Sequence, residues 1–153
     1  MIAGVGVDMI EVARIERAVA HWGDRFLRRL FTPAEVARAG PGSLRPQRLA
    51  ARFAAKAAVM TALGLGGRAM AWREIEVLND TLGRPHVVLH GSADRIARQQ
   101  GVAAVMVSLT HTSHVAIAQA VAVRHAGTRA SPLTLPSPLN PLKYPGGSDD
   151  QTD

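Results

Sequence analysis

Gln47-Arg48-Leu49-Ala50-Ala51-Arg52-Phe53-Ala54-Ala55-Lys56-Ala57-Ala58-Val59-Met60-Thr61-Ala62-Leu63 is the strongest helix signal in the chain. Alanine pays no side-chain entropy in a helix and leucine and methionine pay little, while Gly64, followed by Gly66 and Gly67, supplies the stop. Within it Arg48, Arg52 and Lys56 recur every four residues, which draws a cationic line suited to phosphate. A solvated charged face has the same spacing. Lys56, however, projects between the directions of Met60 and Leu63, so its stem follows the apolar side and its head must find an anion or reach water.

Upstream, residues 2–8 alternate around small residues and read as a short strand ending in Asp8. A carboxylate there suits a hard cation at the mouth of a sheet, although on its own it is more often an N-cap for the next helix. Residues 11–30 carry Val12, Ile15, Val19, Trp22, Phe26 and Leu30 at helical spacing, and Gly23 divides them into two helices. Arg14, Arg17, His21, Arg25 and Arg28 fall on the opposite face as a cationic stripe. Phe31-Thr32-Pro33-Ala34-Glu35 has a helix start, with Thr32 as N-cap, Pro33 first and Glu35 third. Residues 40–46 form a loop.

Downstream, residues 74–79 and 86–90 read as strands joined across Thr81-Leu82-Gly83-Arg84-Pro85. Residues 92–99 form a short helix capped by Ser92. Residues 103–110 and 115–123 alternate and flank the hairpin connection His111-Thr112-Ser113-His114. Beyond Val123 prolines accumulate and apolar periodicity ends. The expected organisation is one α+β domain over residues 1–123, with helices packed on a small, largely antiparallel sheet, and a disordered tail over residues 124–153.

Composition narrows the chemistry. The chain has no cysteine, which removes disulfides, thiolate nucleophiles and cysteine-based metal sites. No run approaches the ~18 apolar residues of a membrane span, and the first residues do not read as a signal peptide, so a cytoplasmic protein is expected. The formal charge is +6, and residues 1–56 hold ten Arg or Lys against five acids, so the basic surface is local. With no aromatic stacking series or recognition signature, nucleic acid is not the expected partner. At the second hairpin, His111 and His114 lack a third ligand in pattern, and His111 is better suited to contact a phosphate.

In order, Gly4-Val5-Gly6-Val7-Asp8-Met9-Ile10-Glu11-Val12-Ala13-Arg14-Ile15-Glu16, Phe31-Thr32-Pro33-Ala34-Glu35, Leu49-Ala50-Ala51-Arg52-Phe53-Ala54-Ala55-Lys56 and Ser108-Leu109-Thr110-His111-Thr112 resemble the motifs of the holo-acyl-carrier-protein synthase family of 4′-phosphopantetheinyl transferases. The resemblance implies transfer of 4′-phosphopantetheine from coenzyme A to a serine of an apo acyl carrier protein, a Mg²⁺ requirement and a homotrimer with sites at subunit interfaces. It implies Asp8 as Mg²⁺ ligand, and Asp8, Lys56 and His111 as catalytic residues. Arg48, Arg52, Lys56, His111 and the turn Gly83, Arg84 and Pro85 would hold coenzyme A, and Arg14, Arg17, Arg25 and Arg28 would dock the acidic carrier protein. The departure is Ala57, where the family has a second metal-binding Glu. The alternative it raises is an impaired relative that binds coenzyme A or carrier protein without transfer.

Overall fold

The computed structural model describes residues 1–65 and 71–127. Its elements run β1 (Ile2–Glu11), α1 (Val12–Trp22), α2 (Asp24–Leu30), α3 (Pro33–Ala39), α4 (Arg45–Ala62), β2 (Ile75–Asn79), β3 (Pro85–Leu89), α5 (Gly91–Gln99), β4 (Val102–His111) and β5 (Val115–Arg124), with a 3₁₀ turn at Trp72–Glu74. Strands β1-β5-β4 form one sheet and β2-β3 a separate hairpin, with every pairing antiparallel among the described residues. The α+β architecture expected from the pattern is the one observed. Residues 66–70, including the two glycines after Gly64, and the tail beyond 127 lie outside the described residues.

The alanine-rich helix, α4, lies across one face of the three-stranded sheet, against β1 and β5. Ala116, Ala118, Ala120 and Ala122 of β5 are all buried, as are Ala50, Ala54, Ala55, Ala58 and Ala62 of α4. On β1, Gly4 and Gly6 stand opposite Ala122 and Ala120. A Cβ at Gly4 would lie 2.1 Å from the Ala62 carbonyl oxygen, and one at Gly6 would lie 2.0 Å from that of Ala58. Small residues on both surfaces bring the helix backbone almost onto the strand.

Three local expectations change. β1 continues to Glu11, which is itself the N-cap of α1, so Asp8 is a strand residue and not the N-cap of that helix. The alternation of Met9-Ile10-Glu11 is masked in the sequence by the helical period that follows it. Ser92 lies inside α5, whose N-cap is His90. The helix start is instead secured by Glu74, which accepts from the Ser92 hydroxyl and from the Ala93 N–H at 3.0 Å. Trp22, placed on the apolar face, is 49% exposed and meets His21 edge-on. At Thr32 the capping box forms as expected, with Glu35 N–H donating to Thr32 Oγ1 and Thr32 N–H to Glu35 Oε2.

Two carboxylates link this architecture to pH. The Ser92 hydroxyl holds Glu74 below its ordinary value of 4.5, and the Arg84 N–H holds Asp80 below 3.8. A folded-state value below the unfolded one contributes stability that is full above the ordinary value and is lost as pH falls through the depressed one. The melting temperature should therefore fall as pH is lowered below the ordinary carboxylate value of 4.5, and Glu74→Gln should flatten that part of the profile.

Candidate functional site

A cleft of about 420 Å³ opens where α3, α4, the β2–β3 hairpin and the end of β4 converge. From α4 come Arg48, Ala51 and Arg52, and from α3 comes Arg38; the hairpin gives Val77, Asn79, Gly83 and Pro85, and β4 gives Leu109 and His111. Three guanidiniums and an imidazole around a space of this size suit a polyanionic ligand.

Two of these cations are tethered by hydrogen bonds. Arg48 donates to the Ala39 carbonyl at 3.2 Å, tying α4 to the end of α3. Arg52, only 7% exposed, donates to Asn79 Oδ1 at 3.0 Å and to the Arg48 carbonyl at 3.2 Å. Its Nε, also buried, has no hydrogen-bond partner among the described residues. Burial lowers the Arg52 pKa, partly offset by the Glu35 charge. A guanidinium held in one orientation by these bonds places a fixed positive charge at the cleft wall.

The turn is shaped by Asp80, whose Oδ1 accepts the N–H groups of Leu82 and Arg84, each at 2.9 Å. Asn79 Nδ2 reaches the Gly83 carbonyl at 2.9 Å, and Gly83 takes φ +82°, open to glycine at little cost. Arg84, expected among the ligand contacts, is engaged elsewhere. Its Nε donates to Asp80 Oδ2 at 3.0 Å, and it does not line the cleft.

Lys56 also lies outside the cleft lining. Its side chain and that of Glu35 are both 0% exposed, and Nζ stands 2.7 Å from Glu35 Oε2. Nζ donates further to the carbonyls of Ile75 at 2.6 Å and Trp72 at 3.2 Å. Of the two outcomes open to the lysine, an anion or water, it takes the anion, inside the protein. Desolvation pushes the Lys56 pKa down, opposed by the Glu35 charge.

Asp8 sits on the α4-facing side of β1, opposite Ala118, which stands opposite Leu109 of the cleft. Two strand spacings make that about 10 Å between Asp8 and Leu109 along the sheet. His111 is one step further on the same face, in the row Ile10–Ala116–His111. Ala57 is fully buried on α4. Among the described residues no three His, Cys, Asp or Glu gather as a metal cluster. On α1 and α2, Arg17, Arg25 and Arg28 are exposed and Arg14 is half-buried.

Sequence reasoning missed Arg38 and Asn79. Arg38 has the look of an ordinary last-turn cation of α3, and Asn79 that of a strand end. Both belong to the site only because α3 and the hairpin converge on α4, which no local pattern records.

The model of the 4′-phosphopantetheinyl transferase superfamily matches residues 4–118, and the chain belongs to that superfamily. Within it the chain is of the holo-acyl-carrier-protein synthase type. The holo-[acyl-carrier-protein] synthase of Solibacter usitatus is 43% identical over 122 residues, covering 79% of this chain and 98% of that protein. The crystal structure of the synthase from Neisseria meningitidis superposes with a TM-score of 0.74 at 31% identity, covering 81% of this chain and all of that one. The synthase from Bacillus anthracis, solved in complex with CoA (3′,5′-ADP), matches with a TM-score of 0.66 at 33% identity, over 82% and 99% of the two chains.

Proposed function

We infer that the chain is a transferase that moves 4′-phosphopantetheine from coenzyme A to a serine of an apo acyl carrier protein. The observation that carries this reading is the cleft with Arg38, Arg48, Arg52 and His111 in a chain of synthase type. Relatives with this fold are named synthases, so the reading of a chain that binds without transfer draws no support from them.

In this reading the serine oxygen forms a bond to the β-phosphorus of coenzyme A. The bridging bond to the α-phosphate breaks, adenosine 3′,5′-bisphosphate leaves with the electron pair, and the serine hydroxyl proton passes to water. Little covalent work falls to the protein, so binding, alignment and charge stabilisation carry the rate. Arg48, Arg52 and Arg38 would take the phosphates, with His111 and the turn at Gly83 and Pro85 against the nucleotide.

The family's Mg²⁺ would be held by one or two carboxylates together with substrate phosphate and water. Asp8 supplies one carboxylate and Ala57 none, so the residues fit a site that leans on substrate oxygens. Mg²⁺, when bound, would neutralise charge developing on the diphosphate. Exposed Arg17, Arg25 and Arg28 with Arg14 would attract the acidic carrier protein, chiefly by speeding encounter. A reaction between coenzyme A and a carrier protein supports a cytoplasmic location.

The outer face of the three-stranded sheet supports self-association. Val5, Val121 and Met106 form one cross-strand row and Met9, Ile117 and Thr110 another, with Val7 between. Val7 is 66% exposed and Met9 63%. An open apolar sheet face of this kind calls for a cover, and the homotrimer of the family would provide one. In sedimentation, the parent should run as a trimer and Val7→Arg as a monomer; a monomeric parent would contradict this assembly.

Release of adenosine 3′,5′-bisphosphate, followed by chromatography, tests the transfer. It should require coenzyme A, Mg²⁺ and apo carrier protein together, and its absence from the complete mixture would refute the reading.

A further inference from the structure

Among the described residues the hairpin β2–β3 has a free edge along β2, where backbone groups face no neighbouring strand. Left alone these groups would be buried without partners. Two of them are taken by the ion pair: Lys56 Nζ donates to the Ile75 carbonyl at 2.6 Å, and the Val77 N–H donates to Glu35 Oε1 at 2.9 Å. A lysine and a glutamate thus stand where an adjacent strand would have its own N–H and C=O.

The same pair gathers three walls of the cleft. Glu35 belongs to α3, three residues before Arg38 of the cleft. Lys56 lies one turn after Arg52 on α4. Val77 lines the cleft itself and is two residues from Asn79, the partner of Arg52. A second tie runs beside it, from the Thr32 hydroxyl to Glu76 Oε2 at 2.5 Å, and Glu76 Oε1 meets His90 at 3.1 Å. The start of α3 is therefore fastened to β2 by two carboxylates, one from each element.

We propose that Glu35 is a positioning residue for the coenzyme A cleft. Through Lys56 and the free edge of β2 it sets the distance between the guanidiniums of α3 and α4 and the hairpin that faces them, and Lys56 itself touches no phosphate. The inference rests on assigning the cleft to coenzyme A.

The test compares the parent, Glu35→Gln and the double variant Glu35→Leu with Lys56→Met. Melting curves, calorimetric titration with coenzyme A, and KM and kcat are measured on each. Glu35→Gln should bind coenzyme A about tenfold more weakly, roughly the loss of one charge-assisted hydrogen bond. Its kcat at saturation should stay within about twofold, because the chemistry is untouched once substrate is held. The double variant removes both charges together, so that no buried charge is left unpaired as Lys56 is in Glu35→Gln, and it provides a second comparison if Glu35→Gln does not fold. It should melt cooperatively and still bind about tenfold more weakly, since the β2 edge has lost its fixed partners.

A folded double variant with parental affinity would overturn the proposal. So would tighter binding by Glu35→Gln, the sign expected if Lys56 were a phosphate ligand restrained by the glutamate. No binding of coenzyme A by the parent would instead overturn the assignment of the cleft, and the inference with it.

Discussion

Gly6→Ala should lower the melting temperature by about 10 °C or more, corresponding to about 3 kcal/mol. The new methyl would lie 2.0 Å from the Ala58 carbonyl oxygen and 2.9 Å from the Ala62 backbone nitrogen. Both are main-chain atoms of α4, so no flexible side chain can yield. Strand and helix would have to separate, opening gaps along the alanine surfaces of α4 and β5. Thermal melts of the parent and Gly6→Ala check this, with Gly83→Ala as a comparison in which the added methyl meets nothing within 4 Å and only the positive φ opposes it. A loss at Gly6 no larger than at Gly83 would contradict the close approach. Because Asp8 follows Gly6 on the same face of β1, separation should also weaken any metal held there.

Arg52→Ala should weaken coenzyme A binding about 10- to 100-fold, the range for losing hydrogen bonds from a buried charged group to an anion. Arg52 is the most enclosed cation of the cleft, and it is oriented by Asn79. Its removal also leaves Asn79 Oδ1 without its donor, which loosens the hairpin. Arg84→Ala is the control, because Arg84 pairs with Asp80 outside the cleft and the turn keeps its two backbone bonds to Asp80. Titration calorimetry should find Arg84→Ala within about threefold of the parent, a change below about 1 kcal/mol. Equal losses at the two positions would move the anion site to the hairpin tip.

How much of this was legible in the sequence depended on whether the cause was local. The alanines of α4, the capping box of Thr32 and Glu35, and the break at Gly23 are all decided within a few residues, and each took the expected form. Ser92 looked equally decided, but Glu74, 18 residues away, secures the helix start instead. Local propensity cannot see such a partner. Lys56 lay between these cases: its position on an apolar face required an anion or a route to water, and Glu35 already had a complete local explanation as a capping residue. One carboxylate serves both ends, with Oε2 accepting from Thr32 and Lys56 and Oε1 from Val77. Arg48, Arg52 and His111 line one cleft, while Arg38 and Asn79 enter it only through tertiary packing.

Covalent transfer onto a carrier protein is the central claim, and intact mass spectrometry of that protein tests it most directly. Apo acyl carrier protein would be incubated with coenzyme A and Mg²⁺, using the parent chain beside Ala57→Glu. The parent should convert the carrier protein to a species heavier by one phosphopantetheine, and Ala57→Glu should do so at lower Mg²⁺. A carrier protein left unmodified by the parent at high Mg²⁺, while coenzyme A still binds, would contradict the claim.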